Sequence, residues 1–137
     1  MSKNGRYSAD RKKIATISAA KTVTVPECGT VFMTGDINGT ITLPLAADAG
    51  PGWWCKFILS ADLSAGDVVI TPAGSDTVEL VSATAADGAA MDIAGTGQVE
   101  FKNSAAAKGD QVEWLTDGTS WYALGMAGVA TSIDANA

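Results

Sequence analysis

Short runs of β-branched residues that alternate with a period of two and stop at proline or glycine recur along this chain, and they leave little room for a helical fold. Thr22, Val23, Thr24 and Val25 end at Pro26; Thr30, Val31, Phe32 and Met33 run toward Gly35; Thr40, Ile41, Thr42 and Leu43 end at Pro44. A period of two sends alternate side chains to opposite faces of a strand, and β-branched residues fit a pleated, half-buried surface. Asn38 and Gly39 tolerate positive φ, so the sequence predicts a hairpin joining 30–34 with 39–43. After a loop over 46–52, the segment 53–60 sets Trp54, Lys56 and Ile58 against Trp53, Cys55, Phe57 and Leu59, and the second set is the better core face.

Further strands are expected at 67–71, ending at Pro72, and at 77–81 after a turn over Ala73, Gly74, Ser75 and Asp76. Another is expected at 98–102, with Val99 and Phe101 inward, then one at 111–116, with Val112 and Trp114 opposite Glu113. A last strand, 121–125, follows a turn over Asp117, Gly118, Thr119 and Ser120. The Ala-rich stretch 82–94 has no clear period and reads as a short helix, or as a loop with a brief strand at 91–93. Eight or nine short strands at about ten-residue spacing predict an all-β chain, an antiparallel β-sandwich or barrel. No internal repeat and no glycine-rich phosphate loop is visible, which argues against solenoids and nucleotide-binding folds.

Charge divides the chain unevenly. Six of the nine cationic residues (Lys3, Arg6, Arg11, Lys12, Lys13, Lys21) lie in the first 21 residues beside a single acid, Asp10, and everything after them is acidic, for a net charge of −6. This predicts an extended basic N-terminal arm over 1–20, a β domain over 21–125 and a C-terminal tail over 126–137. The arm carries the candidate attachment residues Lys3, Arg6, Arg11, Lys12 and Lys13. Nucleic acid is a poor partner for such a molecule, because the arm has no aromatic other than Tyr7 and the acidic body repels a polyanion.

Catalytic chemistry finds few parts. Histidine is absent, which removes the commonest general base and the commonest metal ligand together. The serines have no visible activating partner. The carboxylate pairs Asp62 with Asp67 and Asp87 with Asp92 sit in turn-like stretches where aspartate serves turns. Asp36, Asn38 and Gly39 hold only a fragment of a calcium-loop pattern. The expectation is a protein that is not an enzyme, with no catalytic residues, no metal and no cofactor.

The two cysteines, Cys28 and Cys55, lack the spacing of a zinc or redox motif and read as buried small hydrophobes, a disulfide between them staying open. No run approaches the roughly 20 apolar residues of a membrane span, and no signal-peptide core follows the first charges, so the expectation is synthesis in a cytoplasm and no membrane partner. A hydrophobic share of 47% suggests that surface is hidden between subunits as well as in a core. Adjacent Trp53 and Trp54 must face opposite ways in a strand, so one of them is a candidate oligomer or surface contact.

Taken together, the strand from Gly39 to Pro44, the aromatic strand 53–60, the strand 68–71, the turn from Gly74 to Thr77 and the closing Asp117, Gly118, Thr119, Ser120, Trp121, Tyr122 resemble small β domains of tailed-bacteriophage virions. Capsid decoration (cement) proteins and head or tail fibres belong to that group. The resemblance covers residues 39 to 125 and implies a homotrimer. No coiled-coil or glycine-rich shaft is present, which favours a decoration protein on the capsid exterior, its basic arm clamping the major capsid protein and stabilising the lattice. The alternative it implies is a head-fibre or tail-fibre receptor-binding or carbohydrate-binding module, with Trp53 or Trp121 stacked on a sugar.

Overall fold

A computed structural model describes residues 11–84 and 90–136. The strands form where the sequence alternates: β1 (Lys13–Ile17), β2 (Lys21–Thr22), β3 (Thr30–Thr34), β4 (Gly39–Leu43), β5 (Trp54–Leu59) and β6 (Val68–Pro72) in the first half. They continue as β7 (Val78–Thr84), β8 (Ala90–Thr96), β9 (Gln98–Phe101), β10 (Gln111–Thr116), β11 (Trp121–Ala127) and β12 (Ile133–Asn136). A single-turn helix, α1 (Ala46–Ala49), lies in the loop before β5. Among the described residues these strands make two sheets, of order β1-β3-β5-β10-β11-β7-β8 and β12-β9-β6-β4-β2. The expected all-β architecture is what forms, as a sandwich.

Its sheets are mixed rather than antiparallel throughout. The expected hairpin between 30–34 and 39–43 does not form, because β3 and β4 lie in different sheets. The turn is real, with Asn38 at φ 45°, but it carries the chain across the sandwich instead of back along one sheet. From β1 to β6 the chain alternates between the sheets, so β1, β3 and β5 stack in parallel in one, with Lys13 beside Thr30 and Thr30 beside Cys55. In the other sheet β2, β4 and β6 do the same. A parallel pair needs a crossover connection of a dozen or more residues, usually a helix. Here a strand of the facing sheet supplies it.

The second half mixes in antiparallel pairs. β10 and β11 form the hairpin read from Asp117–Ser120, β7 pairs with β8 across a register shift between Val78 and Leu80, and β11 lies parallel to β7. The expected domain limits differ from the element limits. β1 belongs to the sheet although it falls in the expected arm, and Ile17 is buried. β11 runs on to Ala127, and β12 pairs with β9 in what was expected to be a tail. The 82–94 stretch contributes the ends of β7 and β8, and residues 85–89 lie outside the described set.

The core sits between the sheets. Phe32 and Phe57, direct partners in the parallel β3–β5 ladder, stack at 5.3 Å. Ile41, Leu43, Ile70, Val99 and Phe101 close it from the five-stranded side. Trp53, Trp114 and Trp121 form an edge-to-face cluster at centroid distances of 5.6 and 6.1 Å, the arrangement the ring quadrupole favours.

Candidate interaction surfaces

Lys3 and Arg6 lie outside the described residues. Arg11 and Lys12 are exposed and lead directly into β1, whose first residue is Lys13, also exposed. β1 is an edge strand, so these three cations gather at one margin of the seven-stranded sheet. Lys12 Nζ stands 5.9 Å from the Trp54 ring centroid, within reach of a cation–π attraction. Lys21 is engaged elsewhere, 3.1 Å from the Glu27 carboxylate. Partial desolvation pushes the Glu27 carboxyl up, but the Thr24 amide and Lys21 outweigh it and leave it below its ordinary value.

The tryptophans separate as alternation requires. Trp53 is buried, and its Nε1 donates to the Val25 carbonyl at 2.8 Å. It is a core residue rather than a surface contact. Trp54 is half-buried and faces outward beside Lys12. Trp114 and Trp121 are fully buried, and their indole nitrogens have no hydrogen-bond partner. Cys55 is buried, and that burial pushes its thiol well up; Cys28 is exposed, contrary to expectation, and both are free thiols.

The aspartates of the body hold loops together. Asp36 accepts from the Ser64 hydroxyl and the Ser64 and Ala65 amides, Asp62 from the Lys108 amide, Asp76 from the Ala46 amide, and Asp110 from the Ala107 and Gly128 amides. Asp67 accepts from Lys102 Nζ at 2.5 Å and from the Asn103 amide. Lys102 also donates to Glu100, which is buried although it points away from the core. Asp117 takes the Thr119 and Ser120 amides at 2.8 Å. Asp62 and Asp67 are thus both committed to backbone amides, and Asp36 to the loop at Ser64. Asp87 lies outside the described residues. No group of three or more His, Cys, Asp or Glu side chains able to hold a metal occurs among the described residues, and no helix there is long and apolar enough to cross a membrane.

The outward face of the seven-stranded sheet is the unexpected surface. Cross-strand register sets Ile14, Val31, Lys56, Glu113, Leu124 and Val81 in one row. A second row holds Thr16, Met33, Ile58, Gln111, Met126 and Ala83. In a third, Trp54, Leu115, Tyr122 and Glu79 follow one another. Leu124 is 56% and Met126 59% exposed, and Ile14, Val81, Leu115 and Tyr122 are exposed as well. The five-stranded sheet shows the opposite character, with Thr40, Thr42, Val69, Thr71, Glu100 and Asp134 outward. Of these outward residues, alternation in the sequence predicts the facing of Trp54, Lys56, Ile58 and Glu113.

No protein-family model, no curated protein and no solved structure matches this chain.

Proposed function

We propose that this chain is a decoration (cement) protein of a tailed-bacteriophage capsid, which binds the outer surface of the head as a homotrimer and stabilises the lattice of the major capsid protein. The observation that carries the reading is a cationic leader rooted at the edge of an acidic sandwich whose described loops are held by carboxylate clamps. A stiff body with a charged leader suits attachment to a lattice. Individual surface ion pairs contribute little, about 0 to 1 kcal/mol, but several per arm and three arms per trimer act multivalently.

The carbohydrate-binding alternative needs exposed aromatic platforms. Trp53, Trp114 and Trp121 are buried and Trp54 lies beside Lys12, which leaves Tyr122 as an exposed ring among the described residues. That weighs toward the decoration role.

The test uses the full-length chain with Lys3, Arg6 and Arg11 changed to Gln, which leaves β1 and Lys12 intact. Capsid binding is expected to weaken at least about tenfold and to lose part of its salt dependence, because exposed charges are screened over about 10 Å. Undiminished saturation of capsids by this variant would overturn the role of the arm. In purified virions, mass spectrometry should find hundreds of copies; a handful would favour a fibre.

A further inference from the structure

We infer that the outward face of the seven-stranded sheet is a self-association surface, on which the β1–β3–β5 half of one copy packs against the β10–β11–β7 half of a second copy of this chain. The contact is read on the isolated protein and stands apart from any capsid and from the trimer of the proposed function.

The first support is the contrast between the two outer faces. A solvated sheet face alternates polar residues against the core, as the five-stranded sheet does with Thr40, Thr42, Thr71 and Asp134. On the seven-stranded sheet the same positions include Ile14, Met33, Ile58, Leu115, Leu124 and Met126, set among Thr16, Lys56, Gln111 and Glu113. β11 even inverts the usual order. Its small residues Ala123, Gly125 and Ala127 face the core, while Tyr122, Leu124 and Met126 face out.

The second is area. Six strands about 4.8 Å apart with three outward positions each make a face of about 29 by 20 Å. At about 580 Å² it stands at the top of the range of about 300–600 Å² for the largest, often functional, apolar patches of monomers, and it makes a contact smaller than the roughly 800 Å² per partner of a standard interface.

The third is charge. Lys12 lies over Trp54 and Lys56 stands in β5, whereas Glu113 stands in β10 and Glu79 in β7. Lys56 and Glu113 are cross-strand partners within one chain, which leaves Lys12 at one side of the face and Glu79, which accepts from the Gly95 amide, at the other. Packing unlike halves together puts Lys12 of one copy near Glu79 of the next, and a two-fold axis along the strands achieves it. A polyanion finds no excess of cations on this face.

Sedimentation and light scattering of the full-length protein at about 50 µM are expected to give a dimer, with the mass of two 13.9 kDa chains. Leu124→Glu and Leu115→Glu each alter a side chain that points to solvent in the isolated chain, so circular dichroism and a cooperative melt should be retained. Self-association should weaken at least about 100-fold in each. Lys12→Glu or Glu79→Lys alone should weaken association, and the double exchange should restore it. Thr42→Glu on the opposite sheet should have no effect. A wild-type monomer at this concentration, or an oligomer indifferent to both leucine variants, overturns the inference. A proper oligomer that fails to bind capsids leaves it standing and overturns the proposed function instead.

Discussion

Gly125 shows how single side chains set the distance between the sheets. It faces the core of β11, and a Cβ placed there would lie 2.9 Å from Ile133 Cδ1 and 3.1 Å from Ser82 Cβ. The Ile133 methyl can shift, but Ser82 Cβ is fixed to the adjoining strand and a valine adds two further methyls, so Gly125→Val is expected to destabilise by about 1–3 kcal/mol, read by urea unfolding. The loop clamps make a second prediction. Lys102 and the Asn103 amide hold the Asp67 carboxyl below its ordinary value, and the Ser120 and Thr119 amides do the same for Asp117. At Asp36 desolvation pushes upward, but the Ser64 hydroxyl and the Ser64 and Ala65 amides win and the net is again downward. A carboxyl lowered in the folded state stabilises above its unfolded value and loses that contribution as pH falls through the folded one, since the unfolded chain takes up protons first. Melting temperature should therefore hold above about pH 4 and fall below it, and Asp67→Asn should flatten that slope. A melt independent of pH between about 4 and 2 would contradict the clamps.

At the scale of elements, the strands β5 and β10 were the most legible. In β5 Cys55, Phe57 and Leu59 are buried and Trp54, Lys56 and Ile58 are not; in β10 Val112 and Trp114 are buried and Glu113 is exposed. Both alternate large core residues against others, so local pattern and burial agree. Phe57→Ala should cost about 3–5 kcal/mol, because the ring is fully buried and stacked on Phe32, as measured by chemical unfolding. β11 was legible as a strand but not in its facing, since hydrophobicity alone would send Leu124 and Met126 inward. The facing sheet comes too close at Gly125 for that. The turn at Asn38–Gly39 was equally readable as a turn and misleading as a hairpin, because turn chemistry reverses the chain without saying which sheet receives it.

At the scale of the molecule, the surfaces divide into a basic margin at β1, a threonine-rich and acidic outer sheet, and an apolar outer sheet. Raising salt should weaken the proposed attachment of the arm to a capsid while leaving the proposed self-association through apolar burial largely intact. Titrating salt from about 0.05 to 0.5 M in both assays separates the two contacts, and equal sensitivity would mean that they share one electrostatic origin.

The sequence by itself determined strand content, most turns, the inward set of β5 and β10, the uneven charge, and the lack of histidine-based chemistry. These are properties of neighbouring residues, written at a period of two or in local turn preferences. Only the tertiary structure decided the parallel winding of β1 to β6, the membership of β1 and β12 in the sheets and the exposure of the β11 hydrophobes. Each depends on which distant strand lies alongside or opposite, and strand pairing is a contact between residues far apart in the chain that no local periodicity encodes.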